Sequence, residues 1–112
     1  METYDAITES ASETTTTLKF DLHSLKKAAL ILRALNHKLR QQILRLIEQH
    51  GKMTVTDIYV KMRLEQSVAS QHLAILRKAG FVRTEREGKF IYYSVNPNRF
   101  EEVNHFVQEL LG

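Results

Sequence analysis

Short polar side chains suited to reading base pairs are concentrated between residues 66 and 72. Apolar residues recur at Ala69, Leu73 and Leu76, which is the spacing of the inner face of an amphipathic helix. The other residues in the first two turns of this predicted helix are Gln66, Ser67, Val68, Ser70, Gln71 and His72. Gln can pair bidentately with adenine, Ser can bond several base edges, and Val can contact a thymine methyl group. Such a face suits the major groove of DNA, although Gln and Ser also occur on ordinary solvated helix faces.

Basic side chains follow this polar segment. They are Arg77 near the end of the helix, and Arg83, Arg86 and Lys89 around the tip of a predicted β-hairpin with a two-residue loop at Glu87-Gly88. A basic β-ribbon can lie in a minor groove or hold phosphates, which adds affinity with little sequence information. Lys and Arg also protect exposed hairpins from edge-to-edge aggregation, and that alternative stays open for the hairpin taken alone.

The net charge of +3 is unevenly distributed along the 112 residues. All 16 Lys and Arg follow residue 17, whereas four of the 13 Asp and Glu precede it, so residues 1–17 carry −4 and residues 18–112 carry +7. The first segment is also rich in Ser and Thr, which predicts a flexible tail before a single domain at residues 18–112. A basic body indicates a surface that faces a polyanion, although evenly solvated charges are an equally simple interpretation.

Length and composition exclude several classes of protein. A chain of 112 residues is about one small domain, and the absence of cysteine excludes disulfide scaffolds, thiolate metal sites and cysteine nucleophiles. No nucleophile is accompanied by a recognisable base, and no glycine-rich phosphate loop appears, so an enzyme is not indicated. The start lacks a signal-peptide pattern and the longest uncharged apolar stretch has five residues, so we expect a cytoplasmic protein with no membrane segment.

Apolar residues spaced every three or four positions predict three helices before the polar segment. Asp21 is placed to cap the first helix, and Asn36 is expected to cap the second, which ends at Gly51. Thr54 and Asp57 have capping-box spacing and predict the start of a short third helix.

The second half of the sequence completes a winged helix-turn-helix outline. The fourth helix is predicted over residues 66–79 and ends at Gly80, the hairpin follows, and Asn96 and Pro97 are expected to begin a last helix. The fold class is therefore mainly α with a small β-hairpin, in the order α-α-α-α-β-β-α, a helix-turn-helix followed by a wing.

Several stretches of sequence occur in a characteristic order. They are Ala34-Leu35-Asn36-His37-Lys38-Leu39-Arg40 with Ile43-Leu44, then Gln66-Ser67-Val68-Ala69-Ser70-Gln71-His72-Leu73-Ala74-Ile75-Leu76-Arg77-Lys78-Ala79-Gly80-Phe81-Val82, then Arg86-Glu87-Gly88-Lys89 and Tyr92-Tyr93. Over about residues 22–111 the chain resembles the ArsR/SmtB family of bacterial winged-helix repressors. This resemblance implies a homodimer that binds a palindromic operator and pairs through its first and last helices. By position, it also implies a DNA-reading helix with Gln66, Ser67, Ser70, Gln71 and His72, and a wing with Arg86 and Lys89.

The first and last predicted helices each carry an apolar stripe that one small domain has too few elements to cover. A two-fold pairing of these stripes would bury them and would place two DNA-reading helices about 34–36 Å apart, one turn of DNA. The residues expected at this dimer interface are Leu22, Leu25, Ala29, Leu32, Val103, Phe106, Val107 and Leu110. A monomeric core is the alternative.

The sequence departs from the family pattern at the positions that usually bind metal. Many members sense soft metals through two cysteines that flank a valine at the start of the third helix, and here Thr54 and Thr56 stand there. Glu101, His105 and Glu109 share a face of the last helix, but their spacing does not match the family's histidine and aspartate site. No metal or other cofactor is therefore expected.

These features together predict a sequence-specific regulator that binds double-stranded DNA, as a homodimeric repressor of a palindromic operator. The alternative is a winged-helix module that binds protein, or that binds nucleic acid without sequence preference, because a fold alone does not fix function.

Overall fold

Five helices and one two-stranded hairpin make up residues 18–112, the part of the chain that the computed structural model describes. The elements are α1 (Leu22–Leu35), α2 (Lys38–His50), α3 (Val55–Met62), α4 (Gln66–Lys78), β1 (Val82–Glu87), β2 (Phe90–Val95) and α5 (Pro97–Leu111). This order confirms the predicted fold class. The tail expected at residues 1–17 lies outside the described residues. Within residues 18–112, no helix is both long and apolar enough to span a bilayer.

The boundary between α1 and α2 differs from the prediction by one residue. Asp21 caps α1 as expected, accepting a 3.1 Å hydrogen bond from the Ser24 amide. Asn36 does not cap α2, because its amide still donates to the Leu32 carbonyl and completes the last turn of α1. His37 is the N-cap of α2 instead, and its Nδ1 accepts from the Arg40 amide at 3.4 Å.

The predicted capping box at the start of α3 is confirmed. Thr54 Oγ1 accepts from the Asp57 amide at 3.1 Å, and Asp57 Oδ2 accepts from the Thr54 amide at 3.4 Å. Two amides at the helix start that lack a partner within the helix are thereby satisfied.

Replacing the capping residue should measure what this box contributes to stability. Thr54→Ala removes the acceptor for the Asp57 amide, and we expect it to lower the free energy of unfolding by about 1 kcal/mol. Thr56→Ala is the matched control, since Thr56 is an exposed residue inside the same helix and Ala favours helix there. Urea unfolding of both variants should show a loss only for Thr54→Ala, and equal losses would contradict a capping role.

A Schellman motif ends α4 and carries the chain into the core. The Phe81 amide donates to the Leu76 carbonyl and the Gly80 amide to the Arg77 carbonyl, with Gly80 at φ +88°. Gly80 therefore ends the helix as predicted. The Phe81 side chain is fully buried and packs on Phe100 of α5 with ring centroids 5.0 Å apart.

The core lies between α2, α3, α4 and the start of the hairpin. Its largest fully buried side chains are Ile43, Ile47, Ile58, Leu73, Leu76 and Phe81. Because α4 contributes two of these six residues, its inner face is fixed and its opposite face is directed to solvent.

The hairpin turn is displaced by one residue from the prediction. Glu87 pairs with Phe90, so the two-residue loop is Gly88-Lys89 rather than Glu87-Gly88, and Gly88 takes the positive φ of +64° that the turn requires. The wing is anchored at its side by Met53, which exchanges backbone hydrogen bonds of 3.0 and 2.7 Å with Tyr93.

A lysine adds a second attachment between the wing and the segment before α3. Lys52 forms an ion pair with Glu87 and lies 4.7 Å from the centroid of the Tyr92 ring. The hydrogen bond that Lys52 donates to the Glu87 carboxylate raises the pKa of Lys52, so the ammonium stays charged. Together with the Met53 pairing, this contact holds the hairpin against the body of the domain.

Candidate nucleic-acid interface

The connection between α3 and α4 is a three-residue turn. Arg63 adopts a left-handed conformation at φ +57°, and the Leu64 amide donates back to the Tyr59 carbonyl at 3.0 Å. Ala69 and Leu73 of α4 are fully buried against the rest of the helix-turn-helix. The turn and this burial fix the direction of α4, so its outer face forms a continuous surface for a partner.

Most of the predicted DNA-reading residues are exposed on α4. The exposed members are Gln66, Ser67, Ser70 and Gln71, and Val68 is partly buried at the edge of the face. Ser67 and Gln71 are four residues apart and therefore lie side by side near the centre of the outer surface. The structure thus presents uncharged hydrogen-bonding groups at the N-terminal half of the helix.

The start of α4 lacks side-chain capping. Glu65 occupies the N-cap position, but its side chain accepts no hydrogen bond from the first turn. The free N–H groups at a helix start can be satisfied by a phosphate oxygen, which the helix dipole also favours.

Two cations lie in the last turn of the same helix. Arg77 was predicted as a DNA contact, and it is exposed together with its neighbour Lys78. Lys78 was missed, although the spacing of Ser67, Gln71, Ala74 and Lys78 places all four on one helix face. The outer face therefore carries polar groups at its start and positive charge at its end.

His72 has a different place from the other predicted reading residues. It is half-buried on the flank of α4, where its Nδ1 lies 3.2 Å from Nη1 of Arg40 and its ring centroid 5.1 Å from that of His37. His72 therefore contacts α2 through Nδ1, which the other predicted reading residues do not do.

Arg40 was given no role from the sequence, yet it is the buried charged side chain of the described core, with 7% of its surface exposed. Its Nε donates to the Ala34 carbonyl at 2.7 Å and its Nη2 to the Arg33 carbonyl at 3.1 Å. The burial of Arg40 could have been predicted from its position in the sequence. Arg40 precedes the buried Ile43 by three residues and so lies on the inner face of α2.

The local environment keeps His72 uncharged at neutral pH. Burial lowers the pKa of His72, and the nearby His37 and Arg40 lower it further. A neutral ring can accept the hydrogen bond from Arg40, so the charge state and the geometry agree.

The wing brings two of its three predicted cations to the tip. Arg86 donates to the Gly88 carbonyl at 3.2 Å, and Lys89 Nζ lies 5.6 Å from the centroid of the Phe90 ring, with both side chains exposed. Arg83 is not at the tip, which corrects the prediction. It is three residues, roughly 10 Å, further down the strand and on the opposite side of the sheet from Arg86.

A hydrogen bond fixes Arg83 at the base of the wing. Its Nη2 donates to Oδ1 of Asn96 at 2.8 Å, and Nδ2 of Asn96 donates to the Gly80 carbonyl at 3.0 Å. Asn96 occupies the N-cap position of α5 as predicted, but its side chain makes no capping bond because it is used in this bridge. Arg83 therefore helps to hold the wing to the end of α4.

The exposed apolar stripe predicted on α1 and α5 is present. Leu22, Leu25, Phe106 and Leu110 have between 45 and 68% of their surface exposed, and Ala29 is also exposed. Leu32 and Val107 are partly buried at the edge of this stripe. Val103 is only 7% exposed and belongs to the core of its own chain, so it supports the stripe from below rather than forming part of it.

The acidic and histidine side chains of α5 form no cluster. His105 Nε2 is 3.9 Å from Glu109 Oε2, and both side chains, like Glu101, are exposed. Within the described part of the chain, no group of three or more His, Asp or Glu side chains is placed to hold a metal ion.

A helix-turn-helix with a polar outer face and a basic two-stranded wing defines a winged helix-turn-helix DNA-binding regulator. Comparison with known proteins supports this class. The sequence matches the family described as "Bacterial regulatory protein, arsR family" over residues 37–84, from the start of α2 into β1. The chain belongs to this family, and its class is that of transcriptional regulators rather than enzymes.

Individual relatives span most of the chain. An uncharacterised HTH-type transcriptional regulator of Methanocaldococcus jannaschii, MJ1325, is 35% identical over 89 residues, which are 80% of this chain and 100% of that protein. The transcriptional repressor PagR of Bacillus anthracis is 33% identical over 85 residues, 76% of this chain and 85% of that protein. The crystal structure of PagR superposes with a TM-score of 0.61 at 31% identity, covering 78% of this chain and 99% of that chain. The transcriptional activator HlyU of Vibrio cholerae is 30% identical over 84 residues, 75% of this chain and 77% of that protein.

Proposed function

We propose that this protein is a homodimeric, sequence-specific transcriptional repressor that binds a palindromic operator in the cytoplasm. The outer face of α4 carries the proposal, because it presents Ser67 and Gln71 and has no acidic residue between Gln66 and Lys78. This face can approach the major groove without repelling phosphate, and its polar groups can pair with base edges.

Different residues supply specificity and general affinity. The Gln71 amide can donate to and accept from an adenine edge, which discriminates between base pairs. Lys89 at the wing tip carries a positive charge and has no hydrogen-bond acceptor. It can therefore pair with a phosphate, which adds affinity for any DNA sequence. Arg86 beside it has the same role.

The apolar stripe on α1 and α5 supports the homodimer. Leu25 and Phe106, with 57 and 45% of their surface exposed, are large apolar side chains on two neighbouring helices. Self-association about a two-fold axis would remove this surface from water and would match two α4 helices to two half-sites. Repression, rather than activation, is supported by the likeness to the transcriptional repressor PagR. A dimer bound at the operator would block access to a promoter.

Gln71→Ala and Lys89→Ala separate the two kinds of contact. The operator is first selected by the wild-type protein from a random duplex library. We expect Gln71→Ala to lose about 1–3 kcal/mol of binding to the selected duplex and to relax the base preference at the contacted position. Lys89→Ala should weaken binding to the selected and the random duplex alike. It should also lower the slope of log affinity against log salt concentration by about one.

Fluorescence anisotropy titrations on both duplexes at several salt concentrations measure these effects. The alternative, a module that binds nucleic acid without sequence preference, predicts that the two variants lose the same affinity on both duplexes. A module that binds protein predicts no salt-dependent duplex binding in either variant.

A further inference from the structure

The buried guanidinium of Arg40 connects three elements of the domain. Its Nε and Nη2 donate to the Ala34 and Arg33 carbonyls at the end of α1, at 2.7 and 3.1 Å. Its third contact, from Nη1, reaches His72 Nδ1 on α4 at 3.2 Å. The end of the helix proposed to dimerise is therefore joined to the helix proposed to read DNA through one side chain.

Hydrogen-bond chemistry fixes the proton positions in this contact. An arginine guanidinium has donors only and stays charged at any physiological pH, so the His72 Nδ1 must be the acceptor. Its ring proton is therefore on Nε2. His37 is under the same constraint, because its Nδ1 accepts from the Arg40 backbone amide at 3.4 Å. The His72 ring contributes to the Arg40 contact a lone pair that a proton would remove.

We propose that Arg40 positions the DNA-reading helix through neutral His72, and that protonation of His72 at acid pH releases this helix and weakens sequence-specific binding. The proposal rests on the proposed function. A protonated His72 would direct an N–H at the Arg40 N–H groups and would add a second positive charge beside the first. The charged or titratable groups that face His72 are Arg40 from α2 and His37 from its N-cap, and α1 contributes backbone carbonyls only to this cluster.

Acidification should act on specific and general binding with opposite signs. Base readout depends on hydrogen bonds of about 2.7–3.2 Å, so a shifted α4 loses them. Phosphate attraction grows with each added proton, so binding to random duplex becomes stronger. A fall in the ratio of the two affinities is therefore the signature of the Arg40 contact, and a simple gain of charge cannot produce it.

The stability of the free protein should follow the same protonation. The pKa of His72 is lowered in the folded state by burial, His37 and Arg40, whereas the unfolded chain has the ordinary value near 6.5. Above that value both states are neutral and the contact is intact. As the pH falls through 6.5 the unfolded state gains the proton first, so the folded state loses stability until His72 itself is protonated.

Two measurements test this inference. Long-range ¹H–¹⁵N NMR on the free protein reads the His72 tautomer directly, and we expect neutral Nε2–H with an accepting Nδ1. The second is the ratio of affinities for the selected and a scrambled duplex at pH 7.5 and at the lowest pH at which circular dichroism shows the wild type folded. For the wild type, loss of a charge-assisted hydrogen bond should lower this ratio on the order of tenfold.

His72→Asn is the variant that isolates the titration. The Asn amide oxygen can stand near the position of Nδ1 and accept from Arg40, but it takes up no proton. Its affinity ratio should change less than about twofold between the two pH values, by the same hydrogen-bond reasoning. His50→Asn is the matched control, because His50 is an exposed histidine at the far end of α2, and it should keep the wild-type pH profile.

The outcomes are distinguishable. A His72 Nδ1–H tautomer, or parallel pH profiles for the wild type and His72→Asn, would overturn the role of Arg40 and leave the proposed function standing. An affinity ratio of one for the wild type at both pH values would overturn the proposed function, and the specificity role of Arg40 with it.

Discussion

Phe106→Glu is expected to convert the protein from a dimer to a monomer and to lower its affinity for the selected palindrome by about 100-fold or more. Phe106 is 45% exposed on α5, in a groove shared with Ala28 and Leu32 of α1. A carboxylate placed in the buried centre of a dimer interface would lose its hydration without a partner. The palindrome would then be bound by two unlinked halves, and the gain from linking two half-sites would be lost.

Asn104→Glu is the matched control for this change. It adds the same charge to the same helix, at an exposed residue that is two positions away and on another face of α5. Sedimentation velocity should show a dimer for Asn104→Glu and a monomer for Phe106→Glu. A dimer in both variants, with unchanged operator affinity, would show that α1 and α5 do not form the interface.

Phe81→Ala is expected to have the largest effect on stability, a loss of about 3–5 kcal/mol in the free energy of unfolding. Phe81 is fully buried, lies directly after the Schellman motif of α4, and packs on the Phe100 ring. Its removal leaves a cavity between α4, the hairpin and α5. For a small domain this loss is a large part of the total stability.

The same substitution at a surface phenylalanine gives the comparison. Phe90 is 50% exposed on β2, and its ring contact with Tyr92 spans 6.4 Å between centroids. Phe90→Ala should cost about 1 kcal/mol or less. Urea unfolding at one fixed protein concentration measures both variants, since association contributes to apparent stability. Equal losses at the two positions would contradict the placement of Phe81 in the core.

The sequence predicted the fold well because local signals agreed with one another. The Thr54 and Asp57 capping box, the glycine at Gly80 and the apolar spacing of α4 each mark an element that the structure contains. Boundary errors arose where two residues could serve the same purpose. Asn36 and His37 can both cap a helix, and only the hydrogen bond from Asn36 to the Leu32 carbonyl decided between them.

The candidate site was less predictable where long-range contacts decide it. Ser67 and Gln71 could be placed from helical periodicity alone. The position of His72 could not be predicted in this way, because its partner Arg40 is 32 residues away in sequence. Helical periodicity does not predict which distant residue the side of a helix contacts. The bond of Arg83 to Asn96 was unpredictable for a similar reason, since it depends on how the wing closes onto α5.

Arg40 and Arg83 differ in their access to a phosphate. Arg40 is buried and makes its hydrogen bonds inside the domain, whereas Arg83 is exposed and donates to Asn96 at the base of the wing. The cations that we propose as phosphate contacts on the outer face of α4 and the wing tip are Arg77, Lys78, Arg86 and Lys89, all of them exposed. A set of this size predicts a moderate salt dependence, because few phosphates are neutralised by each protomer.

The most direct test of the central claim is the affinity of the wild-type protein for the duplex that it selects from a random library, relative to a scrambled duplex of the same length and composition. A sequence-specific dimer predicts a selected palindrome whose half-site centres are about one helical turn apart, bound ~10³-fold or more tightly than the scrambled duplex at physiological salt. Equal affinity for the two duplexes, or selection that recovers no shared sequence, would contradict the account.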